Sequence, residues 1–143
     1  MTDPMQGVFR GFDIAGAGLR AELQRSEVVA SNLGNMHRTG NAKDEPYRRK
    51  VLVFEELLQD ARGGQAAAGV SVARVEEDKT PFPVFYQPGH PDADETGQVL
   101  GSNVDLFQEL VDMQTIERSF DANLQALRTY RQMLQNTITN MSR

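Results

Sequence analysis

The stretch from Ser102 to Arg143 constrains this chain most. It holds no Pro and no Gly, and apolar residues recur along it at Leu106, Leu110, Met113, Ile116, Phe120, Leu124, Leu127, Tyr130, Leu134, Ile138 and Met141. Those ten steps cover 35 residues, a mean step of 3.5. That is the period of a coiled-coil seam, narrower than the stripe of a globular helix. Ser102 followed by Asp105 reads as a capping box, with Asn103 as a second candidate cap. A helix from about Val104 to Ser142 would be roughly 58 Å long at about 1.5 Å per residue. Such a helix cannot fold back on itself, so its seam requires another helix.

A matching seam runs near the other end. Phe12, Gly16, Leu19, Leu23, Ser26, Ala30 and Leu33 alternate steps of four and three, which predicts a helix from about Phe9 to Leu33 with small residues in several seats. Small seats let a partner helix approach closely. Gly34 is placed to end this helix. Residues 1–8 read as frayed, because Pro4 and Gly7 oppose helix.

Between the two seams the period changes. Residues 35–45 are polar and turn-rich. Tyr47, Val51 and Val53 share one parity and predict a strand over about Tyr47–Phe54. The stretch 60–69, DARGGQAAAG, reads as a mobile small-residue loop. Val70 and Val72 begin a second strand reaching about Glu76, and Val84–Tyr86 a short third one. Residues 87–97, with two prolines, read as an extended and turning connection. The block 41–100 carries 7 basic and 11 acidic residues, hence −4 of the net −5. With so few large apolar side chains it would be marginal alone.

The predicted fold class is therefore mainly α with a small β insertion. Long N- and C-terminal helices pack as an antiparallel coiled coil around a β-hairpin-rich middle. The expected division is 1–36, 37–101 and 102–143. A two-helix hairpin buries one side of each helix only, so order is expected to grow on assembly.

Composition narrows the function classes. A net charge of −5 leaves no basic surface for nucleic acid. The chain has no Cys, which removes disulfides and thiol catalysis. No apolar run nears the ~20 residues that span a bilayer, and the N-terminus lacks the pattern of a secretory signal. The first helix has balanced charge, which argues against membrane-surface binding.

Several local patterns look chemical. Gly16-Ala17-Gly18-Leu19-Arg20-Ala21 matches a dinucleotide fingerprint, but it sits inside a helical seam with no preceding strand. Asp92, Asp94, Thr96 and Gly97 resemble the start of a calcium loop, yet Asn103 stands where a bidentate Glu belongs. An acidic turn leading into a helix is the simpler reading. His37 and His90 lack a second ligand at metal spacing, and Ser31 lacks a base at motif spacing. Arg48-Arg49-Lys50 reads as a solvated strand face. No cofactor and no enzymatic activity are expected.

Phe12-Asp13-Ile14-Ala15-Gly16 followed by Val28-Val29-Ala30-Ser31-Asn32-Leu33-Gly34-Asn35 resembles the N-terminal signature of bacterial flagellar basal-body rod proteins. Pro46-Tyr47-Arg48-Arg49, the run Tyr86–Asp94, and Asn103-Val104-Asp105-Leu106 are similar to a proximal-rod member of that family. So is Ser119-Phe120-Asp121-Ala122-Asn123 with its continuation to Leu134. The sequence departs from the family pattern at Gly34, at Met36–Lys43, at Gly97-Gln98-Val99 and at Ser102.

The resemblance implies a structural subunit of a hollow periplasmic drive shaft that encloses the export channel. The implied partners are other rod subunits, copies of itself in a helical tube, and the flagellar type III export apparatus. Neither a small-molecule substrate nor membrane insertion is implied. The expected assembly surface is Phe12, Leu19, Leu23, Ala30, Asn32, Leu33 and Asn35 on the first helix. On the second it is Leu110, Met113, Ile116, Phe120, Leu124, Leu127, Leu134 and Ile138. The 30–35 motif, ASNLGN, is expected to cap the first helix and to offer Asn32 and Asn35 to adjacent subunits. A non-polymerising coiled-coil adaptor or secretion chaperone is the alternative that the seams alone permit.

Overall fold

The structure is a computed structural model that describes residues 4–41, 43–56 and 70–141. In chain order it contains α1 (Pro4–Asn35), β1 (Lys50–Glu56), β2 (Val70–Glu77), β3 (Val84–Tyr86), β4 (Gln98–Leu100) and α2 (Leu106–Met141). The chain is mainly helical, as expected. The small-residue stretch 60–69 lies outside the described residues.

Both helices differ from expectation at their ends. α1 starts at Pro4 rather than near Phe9. A proline in the first turn lacks only an N–H that would have had no helical partner anyway. At the other end α1 runs through Gly34 to Asn35. Gly97 is the one described glycine with positive φ, so Gly34 is an ordinary helical residue and not a left-handed cap. Asn35 Nδ2 donates to the Ser31 carbonyl at 2.7 Å, which satisfies part of that terminus.

α2 is capped by Asp105, not by Ser102 or Asn103. The Gln108 N–H donates to Asp105 Oδ1 at 3.0 Å, and the Glu109 N–H donates to the Asp105 carbonyl at 3.0 Å. Those two bonds are the signature of an N-cap. Ser102 Oγ accepts only the Val104 N–H, at 3.3 Å. Asn103 is used elsewhere, as described below.

β1 pairs with β2, and β3 pairs antiparallel with β4. In the second pair Val84 faces Leu100, Phe85 faces Val99 and Tyr86 faces Gln98. β4 is an addition to the expected strands. It is reached through a turn at Gly97, whose φ of +79° favours glycine. Gly40 extends this ladder by exchanging backbone hydrogen bonds with Leu100, at 2.9 and 3.1 Å.

The chain forms two compact units. The first gathers the described residues up to Arg25, from Phe54 to Ala73 and from Thr115 onward; the second gathers Ser26–Val53 and Arg74–Gln114. In the first unit α1 and α2 approach closely at two glycines. A Cβ on Gly11 would collide with the Tyr130 ring, and one on Gly18 would lie 2.8 Å from Asn123 Nδ2. Seven residues forward on α1 correspond to seven back on α2, so the helices are antiparallel there. Ala15, Ala21 and Ile116 are buried in this unit. In the second unit the buried residues include Val29, Val99, Asn32, Arg49, Ser102 and Glu109.

Candidate functional site

Two features of the folded chain bear on function: a buried polar knot in the second unit, and the apolar side chains that each unit leaves outside.

The knot begins on α1. Asn32 is 1% exposed. Its Nδ2 donates to the Lys50 carbonyl at 2.9 Å and to Glu109 Oε2 at 3.1 Å. Its Oδ1 accepts the Lys50 N–H and the Tyr47 hydroxyl, both at 3.0 Å. The side-chain amide thus pairs with both backbone groups of Lys50, as a neighbouring strand would, and uses all its hydrogen-bonding capacity. The sequence reading offers this asparagine to an adjacent subunit; here its amide is consumed inside its own chain.

The centre of the knot is an ion pair. Glu109 is 0% exposed and Arg49 7%. Arg49 Nε donates to Glu109 Oε1 at 2.6 Å, its Nη2 to Asp112 Oδ2 at 2.9 Å, and its Nη1 lies 3.5 Å from Asp78 Oδ2. Burial alone would lower the Arg49 pKa, but the Glu109 hydrogen bond and the three nearby carboxylates outweigh it, so the pKa is raised. Arg49 is therefore not part of a solvated strand face. Arg48 is engaged too: it donates to the Asp78 and Thr80 carbonyls and sits 4.1 Å from the Phe82 ring centroid.

A second asparagine closes the knot from the α2 side. Asn103 Oδ1 accepts the Arg49 N–H at 2.6 Å, and its Nδ2 donates to the Asp78 and Thr80 carbonyls. Asn32 and Asn103 therefore grip two adjacent residues, Lys50 and Arg49, at the entry to β1. Asp78 is fixed on its other side by Thr80, whose hydroxyl and N–H donate to Oδ1 at 2.6 and 2.9 Å. The hydroxyl is the main cause of a lowered Asp78 pKa. Every carboxylate oxygen of Glu109 and every polar atom of Asn32 is engaged, so the knot fixes geometry and presents no reactive atom.

The acidic 92–97 turn is held in the same way. Asp94 Oδ1 accepts from the Thr96 hydroxyl, the Thr96 N–H and the Gln98 N–H, and the Thr96 hydroxyl leads the causes that lower its pKa. Asp92 Oδ2 accepts the Thr39 hydroxyl at 2.6 Å. Among the described residues no cluster of His, Asp and Glu is arranged to hold a metal ion. No described helix is long and apolar enough to cross a membrane.

On α1 the large apolar seam residues fall on a different face from the one that packs within the chain. In the first unit Gly11, Ala15 and Gly18 face inward, one position before Phe12, Gly16 and Leu19. Phe12 is 44% exposed and Leu23 54%. In the second unit Val29 and Asn32 are buried while Ala30 is exposed and Leu33 half-buried. One residue is about 100° around a helix, so the large side chains of the seam turn away. On α2, Ile116 is buried; Met113, Phe120, Leu124, Leu127 and Leu134 are half-buried; Leu110 and Ile138 are exposed. Asn35 is half-buried. Phe107 and Val111, not singled out by the seam, are among the most exposed apolar residues.

Comparison with known proteins agrees with this organisation. The family model described as flagellar basal body rod FlgEFG protein C-terminal matches residues 95–141, which include all of α2. A flagellar basal-body rod protein FlgC of Salmonella typhimurium is 42% identical over 128 residues, covering 90% of this chain and 93% of the relative. The chain belongs to the FlgC family of flagellar basal-body rod proteins. FlgC of Agrobacterium fabrum is 36% identical over 95% of this chain and 94% of its own, and that of Bacillus subtilis 34% over 91% and 95%. The match to FlgC spans the helices and the β segment together, so the knot lies inside the shared region. In the sequence the knot is signalled only by the family motifs that hold Asn32 and Asn103, and nothing local marks Glu109.

Proposed function

We propose that this chain is a structural subunit of the flagellar proximal rod, polymerising through its terminal helices into a hollow shaft that transmits torque and encloses the export channel. The observation that carries the reading is the set of large apolar side chains on α1 that the chain leaves open, Phe9, Phe12 and Leu23, each about half exposed, in a family whose relatives bear the name of rod proteins. Exposed aromatic and aliphatic residues at heptad spacing leave water only when another helix covers them. In this reading residues 1–36 and 102–143 form the core of the assembled shaft, and 37–101 lies outside it. Knobs-into-holes packing between neighbours resists slip under torque. The subunit reaches the periplasm through the flagellar type III apparatus. The polar knot gives each subunit a fixed internal geometry before assembly.

The test is a Phe12→Ser, Leu23→Ser double variant in a flagellated host lacking its own copy. Both positions are exposed, so the purified variant should keep wild-type helicity by circular dichroism. Electron microscopy should show basal bodies without rods, and the cells should not swim. Normal rods from the variant would sink the reading.

A further inference from the structure

The first unit contains a groove of about 480 Å³ whose apolar wall is made by Ile14, Ala21, Phe54 and Ala122. Glu22 lies in that lining. Its Oε2 is buried and has no hydrogen-bond partner among the described residues. A buried carboxylate oxygen without a donor is costly, so the groove is chemically incomplete as the described residues present it. What completes it must bring a strong donor on an apolar stem, which is the description of an arginine or lysine side chain. The volume falls within the range of pockets that take drug-sized ligands, ample for one such side chain.

We propose that the Glu22 groove receives Arg20 from a second copy of this chain. Arg20 is exposed, and its guanidinium lies beside Gly16, four residues before it, where no side chain stands in the way of an approaching copy. Glu22 and Arg20 are two residues apart on α1, hence about 200° apart around the helix. A copy whose groove is filled therefore still presents its own Arg20 on the opposite face. The contact is heterologous and does not close on itself, as an open helical assembly requires. Charge does not oppose it: residues 1–40 carry 4 basic and 4 acidic groups. The inference rests on the rod reading and names one of its contacts.

Two charge reversals test it in trans. Glu22→Arg alone sets guanidinium against guanidinium, and Arg20→Glu alone sets carboxylate against carboxylate. Each variant, as the sole copy in the flagellated host, should lower rod number about tenfold, as unpaired interfacial charge does. Expressed together, the two variants should restore rods, because each then meets its complement in the other. Circular dichroism of the purified proteins checks that both stay helical. Normal rods from either variant alone, or failure of the pair to rescue, would overturn the contact while leaving the rod reading intact. Normal rods in a strain with the gene deleted would instead remove the rod reading, and the contact with it.

Discussion

Asn32 Nδ2 donates to Glu109 Oε2 across 3.1 Å, between residues 77 positions apart in the chain, and neither side chain meets solvent. The orientation of the Asn32 amide follows from its partners, since Lys50 offers both an N–H and a carbonyl. Asn32→Asp would replace the donor with an acceptor and set two carboxylates face to face. We expect a loss of about 3 kcal/mol at neutral pH, from the lost bonds and the unpaired buried charge. The loss should shrink as pH falls into the carboxylate range, because protonating either group restores a donor. Urea unfolding of the full chain at two pH values measures it; a loss independent of pH would contradict the assignment.

Glu109 and Arg49 should behave as one unit. Glu109→Ala leaves a buried guanidinium with only its outer carboxylates and should cost about 3–5 kcal/mol. Glu109→Leu combined with Arg49→Met exchanges the pair for apolar groups of similar size and should cost less than either change alone. A double-mutant cycle in urea reads the coupling directly. Additive losses would show that the two charges act independently.

How much of this could be read from the residues depends on the range of the forces involved. Both helices, β2 and β3 are visible because periodicity acts locally: Val70 and Val72 alternate, and the apolar steps of α2 hold over 35 residues. β4 was invisible because Gln98–Leu100 is a strand only through its pairing with β3. The inward face of α1 lies one residue from the face its seam predicts. Large side chains dominate a sequence pattern, whereas the chain packs on the small ones, Gly11, Ala15 and Gly18. Arg49 and Glu109 were unreadable for a stronger reason. A charge defaults to solvent, and only a partner 60 residues away reverses that.

Acid should weaken the second unit through Asp78. Its folded pKa lies below the ordinary value, chiefly because of the Thr80 hydroxyl. A depressed carboxylate stabilises the fold above its unfolded pKa, near 3.9, and that contribution is lost as pH falls through the lower folded value. Thr80→Val removes the main cause. The variant should be less stable than wild type by about 1 kcal/mol at pH 7, with the difference vanishing once Asp78 is protonated in both states. Paired thermal melts from pH 7 down to about pH 2.5, bracketing the carboxylate range, check this. A difference that persists at the acid end would assign the effect to Thr80 packing instead.

Two glycines make opposite predictions from the same substitution. At Gly34 an added Cβ would meet nothing within 4 Å, and the residue is helical. Gly34→Ala should therefore stabilise by about 0.5–1 kcal/mol, because alanine gives up less backbone freedom on entering a helix. At Gly40 the added carbon would run into the backbone of Asp44, Glu45 and Pro46. Backbone cannot yield as a side-chain tip can, so Gly40 would have to move, and its two hydrogen bonds to Leu100 with it. Gly40→Ala should cost about 2–3 kcal/mol, the sum of overpacking and strained ladder bonds. The two variants share one chemical change, so their unfolding midpoints should move in opposite directions. Hydrogen exchange at the Leu100 amide, faster in Gly40→Ala and unchanged in Gly34→Ala, would place the damage at the Gly40–Leu100 bridge.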